Sequence, residues 1–312
     1  MRIERRGLQI IAVTTPLAVL ALAASASAQR PSPAAALPAK PLEAGLADEE
    51  WVRSQRDDSG QVTNLQTAIG RYEGTPPGAS APVRVDLVGA IHVGDHDYYQ
   101  ELNRRFSGYD AVLYELVAPQ GTVVPRGGRV GSDNPLGAMQ NGMKGLLALE
   151  HQLEIVDYTR PNFVHADMSP EQLFATMEAR DEGILKLYFR MVGQGIAEQT
   201  KAAQKGESAE FDLMRAMFSN DRPRRMKMAM AGQLTQLEGL LTSFGGEKGT
   251  TLIHERNRTA MDVLAKEIAA GKRTIAVFYG AGHLVDMEKR LRERFHLRQT
   301  GKEWLTAWDL TE

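Results

Sequence analysis

The sequence predicts an α/β fold: a mixed central sheet flanked by helices, with a largely helical insert. Three observations carry this. First, a β-rich run at 83–88 leads into Gly89-Ala-Ile-His92, then a helix-patterned stretch, then a second apolar run, Asp110-Ala-Val-Leu-Tyr-Glu115. That order is β-α-β grammar. Second, the grammar returns near the end of the chain as a strand at 274–278, Gly280-Ala-Gly-His283, and a stretch whose Leu284, Met287 and Leu291 share one helical face. Third, residues 170–248 between them hold few β-branched side chains and many Met, Leu and Ala, the composition of helices rather than strands.

The elements follow in order. Residues 1–28 read as a signal peptide: Arg2, Arg5 and Arg6, an uncharged apolar run at 8–24, then Ala26-Ser-Ala28 as the small-x-small cleavage pattern. Residues 29–61 read as a linker, rich in Pro and Ala to about residue 46. Leu65, Thr67, Ile69 and Arg71 alternate as in a half-buried strand. A turn-rich break at 74–82 separates that strand from the next, so the two form an antiparallel pair. Asp95 caps a helix over about 96–106 with Tyr99, Leu102 and Phe106 on one face. Residues 119–143 are loop, 145–156 helical and 162–165 a short strand. Ser169-Pro-Glu-Gln172 is a capping box that opens the insert. A helix at 252–270 precedes the last strand–glycine–helix unit. Residues 62–312 thus form one domain.

Composition excludes several functions. Three of the 37 basic and one of the 39 acidic side chains lie in residues 1–28, so the exported chain is mildly acidic and presents no electrostatic case for nucleic acid. There is no cysteine, which rules out disulfides and thiolate metal sites. No second apolar run reaches membrane length, so no stable span is expected once the signal is removed. The sequence lacks a P-loop, a dinucleotide glycine fingerprint and a Gly-x-Ser-x-Gly elbow. His254-Glu255 opens like a zinc-protease helix, but position 258 is Arg. The expected location is periplasmic or secreted.

Three features point to chemistry. His92 and His283 each follow a strand and a glycine, at the strand ends where α/β folds place ligands, and an imidazole there binds a divalent metal or moves a proton. Two loop histidines with ordinary capping bonds would look the same. Glu115 ends an apolar run, where a carboxylate is costly unless paired or metal-bound. Arg256 shares an apolar helical face with Ile253, Ala260 and Leu264, so it needs an acidic or oxyanion partner inside the domain; a structural ion pair and an oxyanion donor fit equally well. His165 and Asp167, at another strand end, are candidates for an additional ligand or proton carrier.

Taken together, Val88-Gly-Ala-Ile-His-Val-Gly-Asp95, Tyr109-Asp-Ala-Val-Leu-Tyr-Glu-Leu116, Glu255-Arg-Asn257 and Val277-Phe-Tyr-Gly-Ala-Gly-His-Leu284 resemble the motif series of the TraB/PrgY/GumN family, which includes the TIKI proteases. The resemblance covers about residues 62–312, in the family's order. Ala90 departs from it, standing where many relatives carry Thr. The resemblance implies a core related to the erythromycin-esterase and ChaN-like folds. It implies one site holding His92, Glu115, Arg256 and His283, in which His92, Glu115 and His283 bind a divalent metal, Mn or Co, while Glu115 and Arg256 act in catalysis. It also implies a peptide or protein substrate cleaved by hydrolysis. Two other readings stay open: a metal-free esterase-like hydrolase with a histidine base, and a non-catalytic peptide- or haem-binding protein.

Overall fold

The computed structural model describes residues 50–127, 150–180 and 251–311, together with residue 182 and scattered positions between 221 and 231. The expected signal peptide, the Pro/Ala-rich part of the linker, residues 128–149 and most of the insert lie outside the described residues.

A seven-stranded mixed sheet forms the centre, flanked by helices. Its strands run in the order β1 (Val52–Arg56), β2 (Val62–Gly74), β3 (Val83–Ala90), β8 (Thr274–Gly280), β5 (Ala111–Tyr114) and β7 (Phe163–His165), and β9 (Arg298–Asp309) also pairs with β2. From β3 to β7 every pairing is parallel, while β1, β3 and β9 all run antiparallel to β2. The parallel strands read as unbroken apolar runs because both their faces are covered: Val112, Leu113, Ile275, Ala276 and Val277 have no exposure. α1 (His96–Phe106) lies on one face, where Phe106 meets Phe278 with ring centroids 4.9 Å apart. α5 (Leu284–Arg294) lies on the other. A Cβ on Gly89 would touch Leu284 there, and Gly89 pairs with Tyr279, which points opposite to Phe278. α4 (Arg256–Ala269) follows a π-helical turn at Thr251–Glu255 and buries Ala260, Met261 and Leu264.

Several expectations need correction. The linker does not extend to residue 61, because β1 belongs to the sheet and Trp51 before it is fully buried. β2 is not half-buried: residues 65–70 are covered on both faces. Thr67 meets the Tyr98 hydroxyl of α1 at 3.1 Å on one face, and Trp51 covers Gly70 on the other. Residues 150–151 are not helical. They form β6 (Glu150–His151), which pairs with β4 (Val93–Gly94) and leads into α2 (Gln152–Ile155); residues 145–149 of the expected helix lie outside the described residues. Asp95 starts α1 without a side-chain cap and instead accepts from Lys227 Nζ at 2.8 Å and from the Asp309 amide. The capping box at Ser169 is present and opens α3 (Pro170–Ala179). β9 has no counterpart among the predicted elements.

Trp51 and Gly70 form a socket that ties the start of the described chain to the sheet. A Cβ on Gly70 would sit 2.7 Å from the indole, so only glycine leaves room for it. Trp51→Ala is expected to cost about 3–5 kcal/mol in chemical denaturation, as for other large core aromatics. Gly70→Ala should also destabilise the native chain, but far less in the Trp51→Ala background. Equal effects in both backgrounds would contradict the socket.

Candidate functional site

The parallel strands end level with one another. Ala90 pairs with Gly280, Tyr114 with Phe278, and Tyr114 with His165. The residues just past these ends are His92, His283, Glu115 and Asp167. Four separate stretches of sequence are therefore delivered to one carboxyl edge of the sheet, the edge at which α/β folds place ligands. Arg256 and Asn257 reach it from the first turn of α4, and both are buried.

Arg256 is the centre of the cluster. Its Nε donates to Asp167 Oδ1 at 2.9 Å and its Nη2 to Asp167 Oδ2 at 2.6 Å, a two-point grip on one carboxylate. Nη2 also donates to Glu115 Oε1 at 2.7 Å. The partner demanded by its apolar helical face is thus a pair of acids from the chain itself. Asp167 accepts a further bond from the Met168 amide at 2.8 Å, which leaves it held on both oxygens. Glu115 Oε2 accepts from the Gly280 amide at 2.8 Å, and a Cβ on Gly280 would lie 3.3 Å from that oxygen. Glycine here lets the carboxylate approach the backbone. Gly89, its counterpart before His92, serves packing instead: its side is filled by the Ala68 carbonyl and Leu284.

His283 lies beside this cluster with 6 % exposure. Its Nε2 is 3.6 Å from Glu115 Oε1, its Nδ1 is 2.6 Å from Asn257 Oδ1, and its ring packs edge-on against Tyr279. Tyr279 donates its hydroxyl to the Ala166 carbonyl, next to Asp167. His92 is half-buried and takes the Gln152 amide on its carbonyl at 3.0 Å. His165 stands apart from the hydrogen-bonded cluster: its ring Nε2 bonds the Leu116 carbonyl at 2.6 Å and its face meets Tyr114. That contact suits a strand-end brace better than a proton carrier.

Burial and charge set the protonation states. Burial raises the Glu115 carboxyl, but Arg256, followed by the nearby histidines, outweighs it and holds the group well below the usual carboxylate range. Burial works against the Arg256 cation too, and Asp167 and Glu115 more than compensate, so it stays charged. Burial dominates at His283 and pushes its pKa down to about 4 despite the pull of Glu115. The imidazole is therefore neutral at pH 7, and its contact with Glu115 is not an ion pair. Burial, then Asp167, lifts the Tyr279 phenol well above its ordinary value.

Asn257 and Tyr279 were not among the candidates. Asn257 carried a signal: with Met261, Leu264 and Ile268 it continues the inward stripe of α4, and a buried amide calls for a partner as a buried carboxylate does. Tyr279 sits inside an apolar strand and had no such mark.

The chain matches no family model, no curated protein and no solved structure. Among the described residues, no helix is long and apolar enough to cross a membrane.

The site makes the fold acid-sensitive. A histidine whose folded pKa lies below its ordinary 6.5 is protonated first in the unfolded chain, so its contribution is lost as pH falls from 6.5 towards 4. Glu115, also lowered, adds a further loss below its ordinary 4.5. The His283 part amounts to at most about 3 kcal/mol. Urea unfolding between pH 7.5 and pH 4 should show this decline, and His283→Gln should flatten the portion above pH 4.5. An unchanged pH slope in the variant would contradict a neutral buried His283.

Proposed function

We propose that the chain is an exported, divalent-metal-dependent hydrolase, a peptidase of the TIKI-like kind within the TraB/PrgY/GumN family. The observation that supports this most is the facing pair at the sheet edge. Glu115 Oε1 and His283 Nε2 stand 3.6 Å apart on one side of a buried cluster. With His283 neutral, Arg256, Glu115 and Asp167 carry a net charge of −1 inside the protein, which favours one more positive charge there.

The chemistry of the donors suits a divalent ion: an imidazole nitrogen and a carboxylate oxygen are borderline-to-hard ligands that Mn and Co accept. Among the described residues, no group of three or more His, Asp or Glu is assembled as a complete metal site. Glu115 and His283 would supply two donors, and His92, leaving the neighbouring parallel strand at the same edge, would supply the third. Together these residues would hold a divalent ion that, when bound, would polarise a carbonyl and lower the pKa of a water.

The chain's own residues do the rest. Arg256 Nε and Nη2 are committed to the acids, while Nη1 has no hydrogen bond among the described residues, so it is the nitrogen that could donate to a developing oxyanion without giving up the brace. Asp167 fixes the plane of that guanidinium. Glu115, fixed on both oxygens, keeps its position when substrate enters. The substrate class is a peptide or protein, and the location is periplasmic or secreted. A second reading is favoured by the neutral Nε2 of His283 beside Glu115: a metal-free hydrolase in which this nitrogen takes the proton of the attacking water.

The test is cleavage of a broad peptide library by protein lacking residues 1–28, with chelator and then with added Mn²⁺ or Co²⁺. Turnover should disappear on chelation and return with metal, and Glu115→Gln should lower it at least about 10²-fold, the scale of losing a positioned catalytic group. Turnover that survives chelation supports the metal-free reading. Tight peptide binding without cleavage, or a Soret band on adding haem, would replace catalysis with sequestration.

A further inference from the structure

We infer that Asn257 is a positioning residue that locks His283 in a single tautomer, with the proton on Nδ1 and the lone pair of Nε2 turned towards Glu115. This deepens the reading of His283 as a donor and rests on it for its functional meaning, but it stands on separate geometry.

The side-chain amide of Asn257 has one oxygen and one nitrogen, and its surroundings assign them. One end lies 2.9 Å from the His283 carbonyl and 2.8 Å from Asp286 Oδ2. Both of those atoms only accept, so that end must be the NH₂ group, and its two hydrogens are both used. The other end is then the oxygen, which only accepts, and it lies 2.6 Å from His283 Nδ1. Nδ1 must therefore carry a hydrogen. A neutral imidazole has one N–H, so Nε2 is bare, and it is Nε2 that faces Glu115 Oε1. Asn257 holds both the ring and the backbone carbonyl of the same residue, so the imidazole can neither flip nor change tautomer without losing a buried bond. Asn257 itself has no exposure.

A further shell holds Asn257. Asp286 Oδ2 also accepts from Arg290 Nε at 2.7 Å, and its Oδ1 lies 3.6 Å from His254 Nε2. Arg290 Nη2 in turn donates to the His254 carbonyl. The turn before α4 and the first turn of α5 are thus tied together around the amide. Two atoms that cannot hydrogen-bond to each other, Nε2 and a carboxylate oxygen, are held face to face. That arrangement suits a cation or a water between them, and it sets a ligand's orientation in the way outer partners of metal-bound histidines do.

The experiment is ¹⁵N–¹H correlation of the imidazole nitrogens at pH 7.5 in the chain lacking residues 1–28, with the His283 signals assigned by their absence in His283→Gln. His283 should show a protonated Nδ1 and a bare Nε2. Asn257→Asp combined with Asp286→Asn keeps an acceptor at Nδ1 without setting two carboxylates against each other and should keep that tautomer, whereas Asn257→Leu should let it mix or reverse. Mn²⁺ titration provides a second readout, and Asn257→Leu should weaken binding about 10–100-fold, the usual cost of losing an outer partner. Should the leucine variant fail to fold, the native spectrum and the double variant decide alone. A protonated Nε2 in the native chain, or an unchanged tautomer in a folded leucine variant, overturns the inference. A fixed Nδ1–H tautomer with no Mn²⁺ binding by any form would uphold it and count instead against the metal reading.

Discussion

One guanidinium makes this sheet edge possible. Glu115 and Asp167 arrive from the ends of β5 and β7, which are hydrogen-bonded neighbours, so the parallel pairing forces two carboxylates together in a buried place. Two like charges there would repel each other and resist desolvation. Arg256 reaches in from α4 and binds both, three hydrogen bonds from two of its nitrogens. The helix, the two strands and the end of β8, whose Gly280 amide holds the remaining Glu115 oxygen, are thereby fixed relative to one another. The position of α4 matters as much as its charge, because the next residue, Asn257, sets the orientation of His283.

From this constraint the character of the site follows. The cluster is buried, closely hydrogen-bonded and one positive charge short of neutrality. An arrangement of that kind holds charge without reorganising. It also separates what a sequence leaves merged: Asp167 and the Gly280 amide brace, Arg256 binds both carboxylates, and Glu115 Oε1 faces His283 Nε2.

Much of this was legible in the chain. The strand–glycine–histidine repeats marked two ends of one sheet, and the level registers of β3 and β8 explain why ends so far apart in sequence meet. Glu115 and Arg256 were legible because an ionised group in an apolar pattern must be paired, and they proved to be paired with each other. What escaped had physical reasons. Trp51 lies in a polar stretch, and only the socket at Gly70 gives it a role. β9 alternates weakly because its outer residues, such as Arg298 and Glu303, are charged, and its pairing with β2 spans almost the whole chain. Residues 150–151 are extended only because Val93 and Gly94 lie beside them, a contact no local pattern encodes. Asn257 was hidden by standing next to a more conspicuous neighbour.

Arg256 and Asp167 are coupled across the sheet edge, and a double-mutant cycle on unfolding free energy measures that coupling directly. Arg256→Met should cost about 3–5 kcal/mol, because it strands two buried carboxylates, whereas Asp167→Asn, which leaves Arg256 paired with Glu115, should cost less. The double variant should cost clearly less than the two together, by about 1–3 kcal/mol, since each change removes part of the reason the other is harmful. Strictly additive losses, or single variants as stable as the native chain, would show that the sheet edge is held by something else.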